Sequence, residues 1–167
     1  GSDFTFGDVT LRKPKHDNHE LLGKTKFAGC LGVMKDVKRN KYTQKANIVA
    51  DCSTDGKEVY KLKSTANTAN WWYDHRISLI DAKTFADYRT EYFKGGKHIK
   101  TIDRSWVPAN LDDPRASYWG YWYGKTNTTG HETMAFIPST ITKVNHKYKK
   151  KNLWSTTTLK KMPKKIK

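Results

Sequence analysis

Residues 118–123 read YWGYWY, and this run constrains the fold more than any other stretch. Aromatic side chains favour strands, and alternation in a strand sends successive side chains to opposite faces. Tyr118, Gly120 and Trp122 then share one face, and Trp119, Tyr121 and Tyr123 the other. Both faces carry rings, so in a one-layer meander one face is either exposed or covered by another element. Rings must also supply most of the core. Leu, Ile, Val and Phe together make 30 of 167 residues, a share at which high net charge usually signals disorder. Six Trp, nine Tyr and six Phe argue against it, because disordered chains are poor in aromatics and each buried ring removes about 150–250 Å² from water.

Turn signals separate further strand-like segments. Residues 46–52 (ANIVADC) and 58–63 (EVYKLK) flank Ser53-Thr54-Asp55-Gly56, the pattern of a β-hairpin. Residues 75–80 (HRISLI), 98–103 (HIKTID), 133–137, 140–147 and 152–159 also read as strands. Phe85, Tyr88 and Tyr92 recur at helical spacing after Asp81, with Ala82, Ala86 and Phe93 beside them, and Gly95-Gly96 follow. That pattern predicts one amphipathic helix with a glycine stop. The expected class is therefore α+β: mainly antiparallel β, as a meander or small barrel, with one amphipathic helix. Length fits one domain. The expected layout is a flexible N-terminal arm over 1–24, with Gly1-Ser2 a cloning remnant, a β-rich domain over 25–160, and a basic tail over 161–167.

The formal net charge is +16, and it is uneven: residues 143–167 hold ten Lys and no acid. Basic residues are 26 Lys against 6 Arg. Arg suits bidentate reading of a base edge or phosphate, whereas Lys is a hydrated point charge suited to diffuse attraction to polyanions. The matching partner classes are an anionic wall polymer such as teichoic acid, a glycan, an anionic membrane, or nucleic acid bound without sequence preference. A solubilising face is the competing reading. No apolar stretch approaches the ~20 residues of a membrane-spanning helix.

Cys30 and Cys52 are the two cysteines. They could close a disulfide in an oxidising compartment or remain buried thiols; no C-x₂-C spacing suggests zinc. His16-x-x-His19-Glu20 offers ligand types without apolar periodicity around them, which fits a solvated loop. A small basic ribonuclease would need a base, an acid and a cation. His75, Arg76, Glu91, His98, Arg104, His131 and Glu132 supply the types, but no spacing selects a set. No Gly-x-Ser-x-Gly, Walker A or Gly-x-Gly-x-x-Gly occurs, so no catalytic residue, metal or cofactor is assigned. Trp71, Trp72, Tyr73, Trp119 and Tyr121 are candidate stacking residues for sugar rings or unpaired bases, with core packing as the alternative role. Lys147, Lys149, Lys150 and Lys151 are the candidate contacts to a polyanion.

Trp106-Val107-Pro108, Leu111, Arg115 and the run Gly120-Tyr121-Trp122-Tyr123-Gly124 resemble a pattern of small secreted or surface proteins of lactic-acid bacteria. In that pattern an aromatic-x-Pro segment precedes an Arg-Gly-x-Trp-Tyr strand and a lipocalin-like β-meander. Phe136, Ile137, Thr140, Ile141 and Thr142 match its next strands, and Met162-Pro163-Lys164-Lys165-Ile166 repeats its entry. Arg115 stands five residues before Gly120 rather than beside it, and Asp112-Asp113-Pro114 looks inserted. The resemblance implies export, a Gram-positive surface and a barrel-like C-terminal portion, with no catalytic residue to carry over. The expected function is an exported, surface-associated, non-catalytic binding protein. The alternatives are a nucleic-acid-binding protein or ribonuclease, and a structural module without a ligand.

Overall fold

A computed structural model describes residues 2–5, 13–33, 50–137 and 155–161. A 3-10 turn (Pro14–His16) leads into β1 (Asp17–Lys26), followed by β2 (Glu58–Ala66), β3 (His75–Asp81) and β4 (Asp87–Lys94). Then come β5 (Lys97–Pro108), β6 (Ser117–Thr126), β7 (His131–Phe136) and a six-residue helix, α1 (Thr156–Lys161). The seven strands form one sheet in chain order, with every neighbouring pair antiparallel.

The expected α+β class and its amphipathic helix are not found. Residues 87–94 form β4, and the apparent helical stripe has a simple origin. Tyr88 and Tyr92 stand at helical spacing, but a register shift opposite Leu79 and Ile80 leaves Tyr88 as an extra residue in the strand, so the two tyrosines enter cores on opposite faces. Phe85 belongs to the β3–β4 turn. There the Asp81 carboxylate accepts hydrogen bonds from the Lys83 and Thr84 amides at 2.9 and 2.7 Å, a side-chain turn that competes with helix. Gly95 and Gly96 have φ of 55° and 73° and join β4 to β5, the two-residue hairpin role rather than a helix stop.

Other expectations also shift. Residues 17–24, assigned to a flexible arm, belong to β1. Residues 58–63 pair with β1 and β3, not with residues 46–52, of which 46–49 lie outside the described residues. Thr156–Lys161 is helical where a strand over 152–159 was expected. The strand at 140–147 and the candidate lysines Lys147, Lys149, Lys150 and Lys151 lie outside the described residues.

Both faces of the sheet are covered in part, by different segments. On one face Phe27 and Leu31 pack with Val59, Ala86 and Tyr88. Leu31 bridges Asp51, and Cys30 is disulfide-bonded to Cys52, so residues 27–33 and 50–57 make a tied lobe. Asp103, 1% exposed, anchors it. Its carboxylate accepts Arg89 Nε at 2.7 Å and Nη2 at 2.9 Å, and also the Gly32 amide at 2.9 Å. Arg89 reaches the Cys30 carbonyl at 3.1 Å. Gly32 (φ 62°) must be glycine, since a Cβ there would stand 2.7 Å from the Tyr121 ring.

On the opposite face Tyr73, Tyr92 and Ile102 form a second core, with Phe4, Trp71 and Trp72 packed against it. The N-terminal segment is strapped across β6 and β7. The Asp3 carboxylate accepts from Thr126 and Thr133, each at 2.6 Å, and meets His131 Nδ1 at 2.7 Å. Phe4 lies edge-on to Trp122, with ring centroids 5.7 Å apart.

Two outcomes follow. Asp103→Ala leaves Arg89 without its buried partner and should destabilise the protein by about 3–5 kcal/mol in a urea titration. Burial pushes the Asp3 carboxyl upward, but hydrogen bonds from Thr126, Thr133 and His131 outweigh this and hold it below its ordinary value of 3.8. A folded-state value below the unfolded one means the strap stabilises fully above the unfolded value and loses this contribution as pH falls through the folded value. Tryptophan fluorescence should therefore report loss of the strap's ordering only below about pH 4, and Asp3→Asn should abolish that transition.

Candidate functional site

The face bearing the strap is not covered end to end. Register places Leu21 opposite Leu62, and Tyr60 opposite Ile80, so four apolar side chains from three strands share one face. Phe85 joins them from the β3–β4 turn, its ring stacked on Tyr60 at 6.4 Å and 4°. Together they line an open groove of about 360 Å³ with almost entirely apolar walls. That size falls within the ~300–1,000 Å³ typical of small-molecule sites.

Two features separate the groove from ordinary surface. Leu21 and Phe85 are each 62% exposed, side by side rather than scattered, and clustered exposed apolar groups mark binding surfaces. Phe85 also has φ of 60°, the left-handed region in which a bulky side chain is an outlier. The turn that imposes this backbone is tightly held. Asp81 N donates to Ala86 O at 2.8 Å, and Tyr88 Oη donates to Asp81 Oδ2 at 2.8 Å. Burial works against ionisation of Asp81, yet the hydrogen bonds from Thr84, Tyr88 and Lys83 prevail and keep its carboxyl below the usual value. The turn thus spends an ionised, fully bonded carboxylate to hold an exposed phenyl ring.

The groove has a polar margin. Lys24 Nζ lies 5.2 Å from the Tyr60 ring centroid and donates to Glu58 Oε1 at 2.8 Å. Farther along the same face the sheet turns polar and closed. His19 Nδ1 meets Ser64 Oγ at 2.9 Å, and Arg76 pairs with Asp17 at 3.2 Å. Arg104 meets Asp87 at 3.0 Å and lies over the Trp122 ring. Lys100, 5% exposed, sits 4.9 Å from the Trp72 ring.

The aromatic candidates named from sequence do not converge on one platform. Tyr73 is buried against Trp72 and Tyr92, at 4.7 and 5.2 Å, and Trp71 and Trp72 flank it half-buried. Trp119 packs between Trp106 and Trp122. Tyr121 is enclosed by the lobe: its hydroxyl donates to Leu31 O at 2.9 Å and accepts from the Asp51 amide at 3.1 Å, and burial pushes its phenol up to about 12. These rings pack and position. The ribonuclease candidates are similarly dispersed. His75 and His98 sandwich Phe93, Arg76 and Arg104 are ion-paired on the other face, His131 holds Asp3, and Glu132 accepts from Tyr123 at 2.7 Å. Among the described residues no cluster of three His, Cys, Asp or Glu could hold a metal ion.

The groove residues were visible in sequence only as alternation. Tyr60 and Leu62 alternate with Lys61 and Lys63, which gives a face but not whether it stays open.

No family model matches the chain, and no curated protein matches it. Solved structures do. A domain described as an outer membrane lipoprotein-sorting protein from Vibrio parahaemolyticus aligns over 91% of this chain and 54% of its own, with a TM-score of 0.56 and 15% identity. A DUF1329 family protein from Desulfovibrio piger aligns over 92% and 54%, with a TM-score of 0.55 and 11% identity. A LolA superfamily protein from Nitrosomonas europaea aligns over 86% and 57%, with a TM-score of 0.50 and 14% identity. The chain spans little more than half the length of these structures. At such identities the likeness is one of fold.

Proposed function

We propose that this chain is an exported, non-catalytic binding protein that takes up an acyl chain or similar flexible apolar group in the Leu21–Tyr60–Leu62–Ile80–Phe85 groove. The observation that carries this reading is Phe85: a phenyl ring held at φ 60° and 62% exposed, stacked on Tyr60 above an apolar floor. Strain maintained by a tightly bonded turn is a pointer to function. The Cys30–Cys52 disulfide supports an oxidising compartment. The similar fold of a domain described as a lipoprotein-sorting protein supports a lipidic ligand.

Binding should be driven by apolar burial at about 0.8 kcal/mol per CH₂, close to a fourfold gain in affinity per added carbon until the groove is filled. A fluorescent fatty-acid displacement series of increasing chain length reads this directly. Leu62→Lys should abolish displacement. Phe85→Gly should weaken it while leaving the melting temperature unchanged or raised, because glycine relieves the left-handed strain. A series without chain-length dependence, or full affinity in both variants, rejects the proposal.

A second reading rests on a separate observation, the ten lysines and no acids in residues 143–167. We infer that this basic end attaches the protein to an anionic wall polymer or glycan at a bacterial surface, as the resemblance to lactic-acid bacterial surface proteins suggested. Such attachment is screened by salt, with the Debye length falling from ~10 Å at 0.1 M to ~3 Å at 1 M. Sedimentation with purified cell walls should be complete at low salt and lost near 1 M. Retention at 1 M, or equal binding to any nucleic acid offered in competition, contradicts the reading.

A further inference from the structure

On the face opposite the groove a second concavity opens, half-enclosed and about 120 Å³ in volume. It lies between the disulfide-tied turn, the β3–β4 turn and the neighbouring ends of β5 and β6. Four separate stretches of chain supply its walls: Asp51 and Thr54 with Lys57, Thr84 with Ala86, Trp106, and Ser117. Its volume is below that of an apolar cavity that accepts benzene, about 150 Å³, and because the cleft is only half-enclosed it can take one six-membered ring in part.

The wall chemistry narrows the class of ring. Trp106 is half-buried, and its indole N–H is already donated to the Asp87 carbonyl at 2.9 Å. What remains for a ligand is an apolar aromatic surface. Charges near the cleft are balanced. Arg115 is bidentate with Asp113, at 3.0 and 2.9 Å, and Lys57 stands opposite Asp51. Asp51 Oδ1 accepts from the Ser53 amide at 3.0 Å and hydroxyl at 2.6 Å, and Oδ2 accepts from Ser105 at 2.8 Å. A carboxylate offers about four acceptor sites, so among the described residues one remains on Oδ2. Lys57 Nζ lies 5.6 Å from the Tyr88 ring centroid and makes one long hydrogen bond among the described residues, to Tyr88 Oη at 3.4 Å, which keeps donors in reserve. Thr54 is 3% exposed, and its hydroxyl makes no hydrogen bond among the described residues. Buried polar groups in native structures are nearly always paired, and this one stands in the cleft wall.

Balanced charge, donors and an acceptor in reserve, and an aromatic surface do not suit an isolated anion, which Asp51 would repel, or an apolar ring, which would leave the polar groups unmatched. We propose that the cleft is a saccharide subsite for a single neutral pyranose unit, free or at the end of a glycan. The ring's C–H face lies on Trp106, and its hydroxyls reach Lys57, Asp51 and Thr54. This site is distinct from the groove, although both border the β3–β4 turn, with Phe85 on one side and Thr84 and Ala86 on the other.

The test is a titration of the full chain followed by ¹H–¹⁵N NMR at the Trp106 Nε1–H. The probes are methyl glucopyranoside, methyl galactopyranoside, methyl mannopyranoside and N-acetylglucosamine, with cyclohexanol and inorganic phosphate as controls. At least one saccharide should shift the Trp106 resonance saturably, and neither control should do so. Lys57→Ala and Thr54→Val should each weaken that saccharide by about two- to tenfold, the effect of one hydrogen bond. Leu62→Lys, which disables the groove, should leave saccharide binding unchanged, so loss of the groove reading and loss of this one are separable. An oligosaccharide ending in the responding sugar that binds more tightly than the monosaccharide identifies a glycan end; equal affinity identifies the free sugar. Absence of a saturable shift with all four saccharides, an equal response to either control, or unchanged affinity in both variants overturns the proposal.

Discussion

The buried carboxylate of Asp103 is the interaction on which the arrangement of this molecule depends. It lies on a central strand, accepts both Arg89 donors from the neighbouring strand, and takes the Gly32 amide from the disulfide-tied lobe. A chain with few aliphatic side chains cannot hold a lobe on a sheet by apolar area alone. Here a desolvated ion pair fixes the lobe in register, and Phe27 and Leu31 then complete the packing. A buried pair of this kind is costly to break and often no more stabilising than an apolar replacement. Its value lies in placing the lobe, and with it Asp51, Thr54 and Lys57, at one position on the sheet.

With one face covered by the lobe and part of the other by Phe4 and residues 71–73, the sheet retains an apolar opening of about 360 Å³. The β3–β4 turn stands at its edge. Asp81 collects donors from the turn and from Tyr88, and that bonding allows Phe85 to occupy a conformation that its side chain disfavours. Stability invested in a turn whose product is an exposed ring is the physical basis for treating the groove as a binding site.

Much of the strand pattern was legible in the sequence. The strands at 58–63, 75–80, 98–103 and 133–137 coincide with parts of β2, β3, β5 and β7, because alternation and turn residues act locally. What failed was non-local or degenerate. The spacing of Tyr88 and Tyr92 matches a helical turn, and only cross-strand pairing shows the bulged strand that sends the two rings to opposite faces. β1 looked irregular because it is an outer strand with little burial, so its side chains carry no apolar rhythm. The hairpin assigned to 46–63 was reasonable by its turn residues, but β2 finds its partners in β1 and β3. Site residues were harder. A run of tryptophans and tyrosines gives no sign of which rings will be enclosed, and the lobe and strap that enclose them come from distant parts of the chain. Phe85 was visible only as a member of a supposed helix, since a left-handed backbone on phenylalanine leaves no signature in composition.

The account's central claim is that an acyl chain lies in the groove beneath Phe85. Its most direct test is a set of intermolecular NOEs from a ¹³C-labelled decanoate to the full-length chain. Contacts from the chain methylenes to Leu21, Leu62, Ile80 and Phe85 are the expected result. NOEs confined to the Trp72–Trp122 side of the same face, or none at saturating ligand, would contradict the claim.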